Sequence, residues 1–148
     1  KEVLMKLQGI CIGLFLVLLI SGCASGQTGQ GSATDPTLLQ VVRVNTNLYA
    51  RQFPPLSKSI QNAVTAEQIY HTAYTLPAAP IRSCSPSTGD LIYRLYFYHG
   101  KTLLQEMDLW VWGCPFLWLS KTDGRDPNSA FLLLVKQALH LDSLVPSY

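Results

Sequence analysis

Two runs rich in aromatic and large apolar residues, Leu91 to Tyr98 and Thr102 to Trp112, flank His99-Gly100-Lys101. Such runs predict two strands, in which successive side chains point to opposite faces. Joined by a short link that contains glycine, they predict a β-hairpin. A three-residue loop pairs Phe97 with Leu103, Leu95 with Gln105, Tyr93 with Met107 and Leu91 with Leu109. One face is then largely apolar. The other sets Arg94 opposite Glu106, a cross-strand pair worth about 0.2–1 kcal/mol. A two-residue loop sets Tyr93 opposite Glu106 and Leu91 opposite Asp108. A slip of one residue exchanges the faces, so the three-residue loop is preferred.

The flanking segments fit around this hairpin. Leu38 to Val44 is apolar and β-branched and predicts a first strand; Leu56 to Val64 predicts a short second one. Thr65-Ala66-Glu67-Gln68 has the capping-box spacing, with Val64 and Ile69 placed as a hydrophobic staple, and predicts a helix over Ala66 to Tyr74. Leu76-Pro77-Ala78-Ala79-Pro80 ends it, because proline disfavours helix in the residue before it. Phe116 to Leu119 reads as a last strand and Lys121 to Arg125 as a polar turn. Asp126 as N-cap and Pro127 at the first helical position open a closing helix to about Leu141, with Phe131, Leu134, Val135 and Ala138 on its apolar face. The expected class is α+β: a small, mostly antiparallel sheet with a central hairpin, two helices on one face and one disulfide.

The N-terminus follows different rules. Met5 to Gly9 carries a positive charge, Ile10 to Ile20 is an uncharged run of mostly large apolar residues, and small residues follow at Ser21 and Gly22. That order is a signal peptide, and its apolar run falls short of the roughly 20 residues of a spanning helix. Translation is expected to start at Met5 or at a non-standard codon upstream. Ile20-Ser21-Gly22-Cys23 resembles the lipobox of bacterial lipoproteins. The resemblance implies that Cys23 receives a diacylglycerol and becomes the new N-terminus after cleavage. Each buried lipid CH₂ adds about 0.8 kcal/mol to anchoring, so paired acyl chains hold firmly. The expected organisation is a signal peptide over residues 1–22, a Gly/Ser/Gln/Thr-rich flexible tether over 23–37, and a single exported domain over 38–148. The expected location is the extracytoplasmic face of the cell membrane, held by the lipid anchor.

Charge and cysteine content narrow the partners. The chain has 11 Lys/Arg against 9 Asp/Glu, and removing Lys1, Glu2 and Lys6 with the signal leaves the rest nearly neutral. No basic block points to nucleic acid. Of four cysteines, Cys11 leaves with the signal and Cys23 is the lipid site. Cys84 and Cys114 remain as a pair in an exported domain, where a disulfide is the default. Extending the hairpin register sets Pro86 opposite Cys114, with Cys84 two residues further on.

Residues with catalytic capacity are scattered. His71 falls on the first helix, His99 in the hairpin loop and His140 near the end of the last helix, with no metal-ligand spacing between them. There is no Gly-x-Ser-x-Gly elbow, and Ser83, Ser85 and Ser87 are loop residues beside Cys84. Glu106 and Asp108 share a strand face as paired carboxylates do, but Arg94 accounts for Glu106. No cofactor is expected. Trp110 and Trp112 share the face of Arg94 and Glu106, and with Trp118, Tyr93, Tyr96 and Tyr98 they offer either a core or a stacking surface for a glycan or protein.

The stretch from Thr65 to Leu141 resembles a group of uncharacterised exported bacterial proteins. The shared pattern is the capped helix ending in Leu76-Pro77, Cys84, the hairpin around Tyr93 and Phe97, Gly113-Cys114, and a closing helix from near Phe131; the chain departs from it at Phe131-Leu132, where an aromatic pair with tryptophan is expected. The resemblance supports a Cys84–Cys114 pairing and implies no activity. The leading expectation is a non-enzymatic lipoprotein that binds an envelope component. The alternatives are a protease-inhibitor-like module presenting the loop Arg82 to Gly89, and a small envelope hydrolase built on His71 or His99.

Overall fold

A computed structural model describes residues 34–45, 53–80 and 91–145. All described residues belong to one compact unit, within Gly31–Tyr148. Cys23, Cys84 and the loop Arg82 to Gly89 lie outside the described residues.

In chain order the elements are β1 (Leu38–Asn45), β2 (Ser57–Ile60), α1 (Ala63–Thr75), β3 (Leu91–His99), β4 (Thr102–Trp110), β5 (Phe116–Trp118), β6 (Gly124–Arg125) and α2 (Ser129–Ala138). The strands form one sheet in the order β2-β1-β3-β4-β5-β6, with every neighbouring pair antiparallel. This is the expected α+β architecture with the hairpin at its centre. No helix among the described residues is long and apolar enough to cross a membrane.

One face of the sheet makes the core. Leu91, Tyr93, Leu95 and Phe97 of β3 are buried, while Ile92, Arg94, Tyr96 and Tyr98 between them are half-buried. The buried set joins Leu39 and Val41 of β1, Met107 and Leu109 of β4, and Leu117 of β5. Ala66, Ile69 and Ala73 of α1 and Phe131 and Val135 of α2 close over them. Tyr70 of α1 meets the Phe97 ring edge-on, with centroids 5.1 Å apart. Both helices therefore cover the face that carries Leu91, Tyr93, Leu95 and Phe97, expected as the apolar one.

The hairpin register corrects the expected pairing. The loop is the two residues Gly100-Lys101, with His99 opposite Thr102. Gly100 takes φ +58 at the first central position, which a type II′ turn needs and glycine adopts without strain. Leu104 is then an extra residue, a β-bulge between the pairs Tyr98–Leu103 and Phe97–Gln105. Each change moves the register by one residue, and together they move it by two. The faces survive and the partners do not: Tyr93 lies opposite Leu109, Leu95 opposite Met107 and Arg94 opposite Asp108. Between turn and bulge the parity is reversed, so Leu103, expected opposite Phe97, is 46% exposed.

Both helix starts also differ from expectation. Asn62, not Thr65, caps α1: its side chain accepts from the Thr65 backbone N–H at 3.2 Å. Val64 is left exposed, so it forms no staple. Asn128, not Asp126, caps α2 by accepting from the Phe131 N–H at 2.8 Å. The α2 C-terminus ends in a Schellman arrangement, with Leu141 N–H on Lys136 and His140 N–H on Gln137. His140 holds the left-handed position there, with φ +51.

The sheet's last edge is covered. β6, expected as a polar turn, pairs with β5 and is bridged by Ala78 on its far side. The Ala79 N–H donates to Gly124 and the Asp126 N–H to Pro77, each at 2.9 Å. Residues rich in proline thus close an edge that would otherwise offer unpaired backbone groups.

Candidate functional site

With both helices on one face, the even-numbered side chains of β3 and their neighbours form the opposite face. Neither helix packs on it. Arg94 sits at its centre, because β3 is a middle strand and Arg94 faces away from the core. Its guanidinium grips Asp108 with two bonds, Nε to Oδ1 at 2.8 Å and Nη2 to Oδ2 at 3.2 Å. Nε also lies 3.1 Å from Glu106 Oε1, the diagonal neighbour. The expected Arg94–Glu106 pair is therefore present, but the register gives Asp108 the closer grip. Hydrogen bonds to Asp108, and then to Tyr96, hold the Arg94 proton more tightly than in free arginine.

Aromatic rings frame this charged group. Trp118 lies opposite Asp108 and Phe116 opposite Trp110 across the β4–β5 pair. The Phe116 and Trp118 rings are tilted at 42° with centroids 4.6 Å apart. Phe116 lies over Gly124, where a Cβ would stand 2.3 Å from the ring. Only glycine at that position leaves room for the phenyl ring beside the indole.

Between β4 and the end of β5 is a cleft of about 410 Å³, lined among the described residues by Glu106, Asp108, Trp118, Ser120 and Lys121. Ser120 Oγ accepts from the backbone N–H groups of Asp123 at 3.1 Å and Thr122 at 3.3 Å, which fixes the turn at one wall.

The two tryptophans expected on this face divide. Trp110 is on it, opposite Ile92, with its Nε1 buried and without a hydrogen-bond partner among the described residues. Trp112 lies past the end of β4 and packs against the core. The ring that reaches the carboxylates is Trp118. The signal for it was the alternation of Phe116 and Trp118 with the buried Leu117 and Leu119. It becomes readable once Val111–Pro115 is taken as a loop, turned at Gly113 with φ +70.

The histidines fall elsewhere. His71 Nε2 is 2.9 Å from Asp35 Oδ1, and His99 Nδ1 is 2.8 Å from the Asp35 carbonyl. Thr37 Oγ1 accepts from the Gly100 N–H at 3.1 Å, and the Thr37 N–H donates to Tyr98 at 2.7 Å. Asp35 to Thr37, expected in the tether, are thus docked on the hairpin tip and α1. The His71 side chain is 60% exposed. Among the described residues, no hydroxyl or thiol bonds either imidazole and no cluster of His, Cys, Asp or Glu has a metal-binding arrangement. No protein-family model, curated protein or solved structure matches the chain.

Proposed function

We propose that the chain is an exported lipoprotein, anchored through Cys23 to the extracytoplasmic face of the cell membrane, whose domain is a non-enzymatic binding module for an envelope component. The charged start, apolar run and small residues before Cys23 support the anchor. One observation carries the binding role: both helices cover the same face of the sheet, and the other face groups Trp118 and Phe116 around the Arg94–Asp108–Glu106 cluster. Rings and ion-paired side chains locked by neighbours lose little freedom when a partner arrives, which favours affinity. A Cys84–Cys114 disulfide completes the proposal. It is supported by the even number of cysteines left in an exported domain once Cys11 and Cys23 are assigned.

Site-specific photocrosslinking in the native envelope tests this role. A photoreactive residue at Thr122, exposed beside the cleft, is expected to capture a discrete envelope component. The same residue at Leu133, exposed on α2, is not. Equal capture from both positions, or none from Thr122, removes the sheet face as the binding surface.

A further inference from the structure

The cleft beside Trp118 has a composition that selects among ligands. Lys121 lines it with one positive group and Glu106 and Asp108 with two negative ones, which Arg94 pairs with from the neighbouring strand. Arg94 offsets the carboxylates at 2.8 and 3.1 Å. A polyanion entering the cleft still meets two carboxylates, and a polycation meets the Lys121 ammonium. A neutral ligand rich in both donors and acceptors meets neither penalty. We infer that this cleft binds a sugar ring of an envelope glycan, with the ring stacked on Trp118 and its hydroxyls shared between the two carboxylates and the Ser120–Lys121 rim.

The hydrogen-bonding inventory supports that ligand. Ionised carboxylates only accept, and each has about four sites. Arg94 engages both oxygens of Asp108 but only Oε1 of Glu106, whose side chain is 46% exposed. Acceptor capacity is left on that wall. The opposite rim donates: Ser120 Oγ uses its lone pairs on two backbone N–H groups, which leaves its own O–H, and the Lys121 ammonium makes no ion pair among the described residues. A hydroxyl that donates to Glu106 and accepts from Ser120 or Lys121 satisfies both sides. Adjacent hydroxyls on a ring present that pattern repeatedly.

The aromatic wall provides the remaining contact. One face of a pyranose is a flat set of C–H groups, which stacks on an indole as apolar surface with weak attraction to the ring. Trp118 is held for that purpose by Phe116, and Phe116 by Gly124. The cleft volume of about 410 Å³ is within the range of small-ligand sites.

This inference rests on the sheet face being a binding surface, and the experiment separates the two. The full-length protein in detergent is titrated by calorimetry with chitotetraose, for acetamido sugars, with cellotetraose, for plain glucose units, and with inorganic pyrophosphate. Saturable binding of at least one oligosaccharide and none of pyrophosphate is expected. Trp118→Ala and Glu106→Gln should each weaken it by roughly tenfold or more. Gly124→Ala should also weaken it, by displacing Phe116, although it removes no group that touches the ligand. Glu106→Gln, at a half-exposed side chain, keeps the test valid if the aromatic variants fail to fold. No binding of either oligosaccharide, or unchanged affinity in Glu106→Gln and Trp118→Ala, overturns the glycan assignment. If Thr122 still captures an envelope protein in that case, the binding face stands and only its ligand class falls. If Thr122 captures nothing, both fall.

Discussion

Arg43 carries a charge into the core at the end of β1. It is only 8% exposed, and no carboxylate pairs with it among the described residues. Removing a cation from water costs several kcal/mol unless its donors are met. Nη1 donates to the Pro54 carbonyl at 3.1 Å and Nη2 to the Tyr93 hydroxyl at 3.0 Å, while Nε has no partner. The guanidinium carbon also sits 5.3 Å from the Tyr93 ring centroid, which adds cation–π attraction. Tyr93 passes the chain of bonds on by donating to Leu144 at 2.7 Å. One phenol thus joins the loop before β2, the sheet and the segment after α2. Tyr93→Phe leaves an arginine donor and a carbonyl unmet in a buried site. It should cost about 1–3 kcal/mol in urea unfolding. Burial raises the Tyr93 pKa, with Arg43 pulling the other way, and burial raises that of Tyr74 to about 12. A raised phenol pKa stabilises the fold fully below about pH 10, the unfolded value. Above that, the unfolded chain releases a proton that the folded chain keeps, so stability falls as pH rises. The decline in unfolding free energy above pH 10 should be shallower in Tyr93→Phe than in the parent. An equal slope in both would show that Tyr93 takes no part.

At the scale of elements, the hairpin separates what alternation reveals from what it hides. The apolar face of β3 was legible because Leu91, Tyr93, Leu95 and Phe97 repeat at the strand period. Partners were not, because a bulge has no signature of its own: Leu103 and Leu104 are both leucine, and either suits a strand. Capping failed for a related reason. Thr65 and Asn62 both suit an N-cap, and the choice between them depends on where β2 releases the chain. β6 was missed because its two residues pair only after β5 and the Pro77–Ala79 segment are in place on either side. The candidate site was half legible. Arg94, Glu106 and Asp108 are readable in the sequence as charges of one face, but Trp118 depends on the β4–β5 pairing. The bulge leads to an unusual prediction. Deleting Leu104 leaves Tyr98–Leu103 and Phe97–Gln105 as consecutive pairs, so every other side chain keeps its face. The variant should fold, losing only about 1–2 kcal/mol for one half-buried leucine. Deleting Met107 shifts parity for one flank of β4 and drives either Glu106 or Asp108 into the core, which should abolish cooperative unfolding. Thermal unfolding followed by near-UV circular dichroism distinguishes them. A disordered Leu104 deletion would mean that the bulge itself, not face parity, governs the hairpin.

For the whole molecule, the proposed anchor and the proposed staple are separable parts. The tether between Cys23 and Thr34 is rich in Gly, Ser, Gln and Thr. On the proposed anchoring, a tether of this composition and length lets the domain range over an average of about 20 Å from the bilayer. The staple has the opposite duty. A disulfide between Cys84 and Cys114 spans the link to β3, the central hairpin and the turn at Gly113, and closing a loop of that length stabilises by about 3–4 kcal/mol in the chain-entropy model. The two cysteine sites should therefore dissociate in opposite directions. Cys114→Ser should lower the unfolding midpoint strongly while the protein stays in the membrane fraction. Cys23→Ala should release the protein from membranes, or leave its signal uncleaved, while the folded domain keeps its midpoint. Fractionation paired with thermal unfolding reads both effects, and non-reducing mass spectrometry identifies the bridged pair. Normal processing and membrane retention of Cys23→Ala would refute the lipid anchor. An unchanged midpoint in Cys114→Ser would place the domain's stability in the Arg43–Tyr93 tie and the helix-covered core alone.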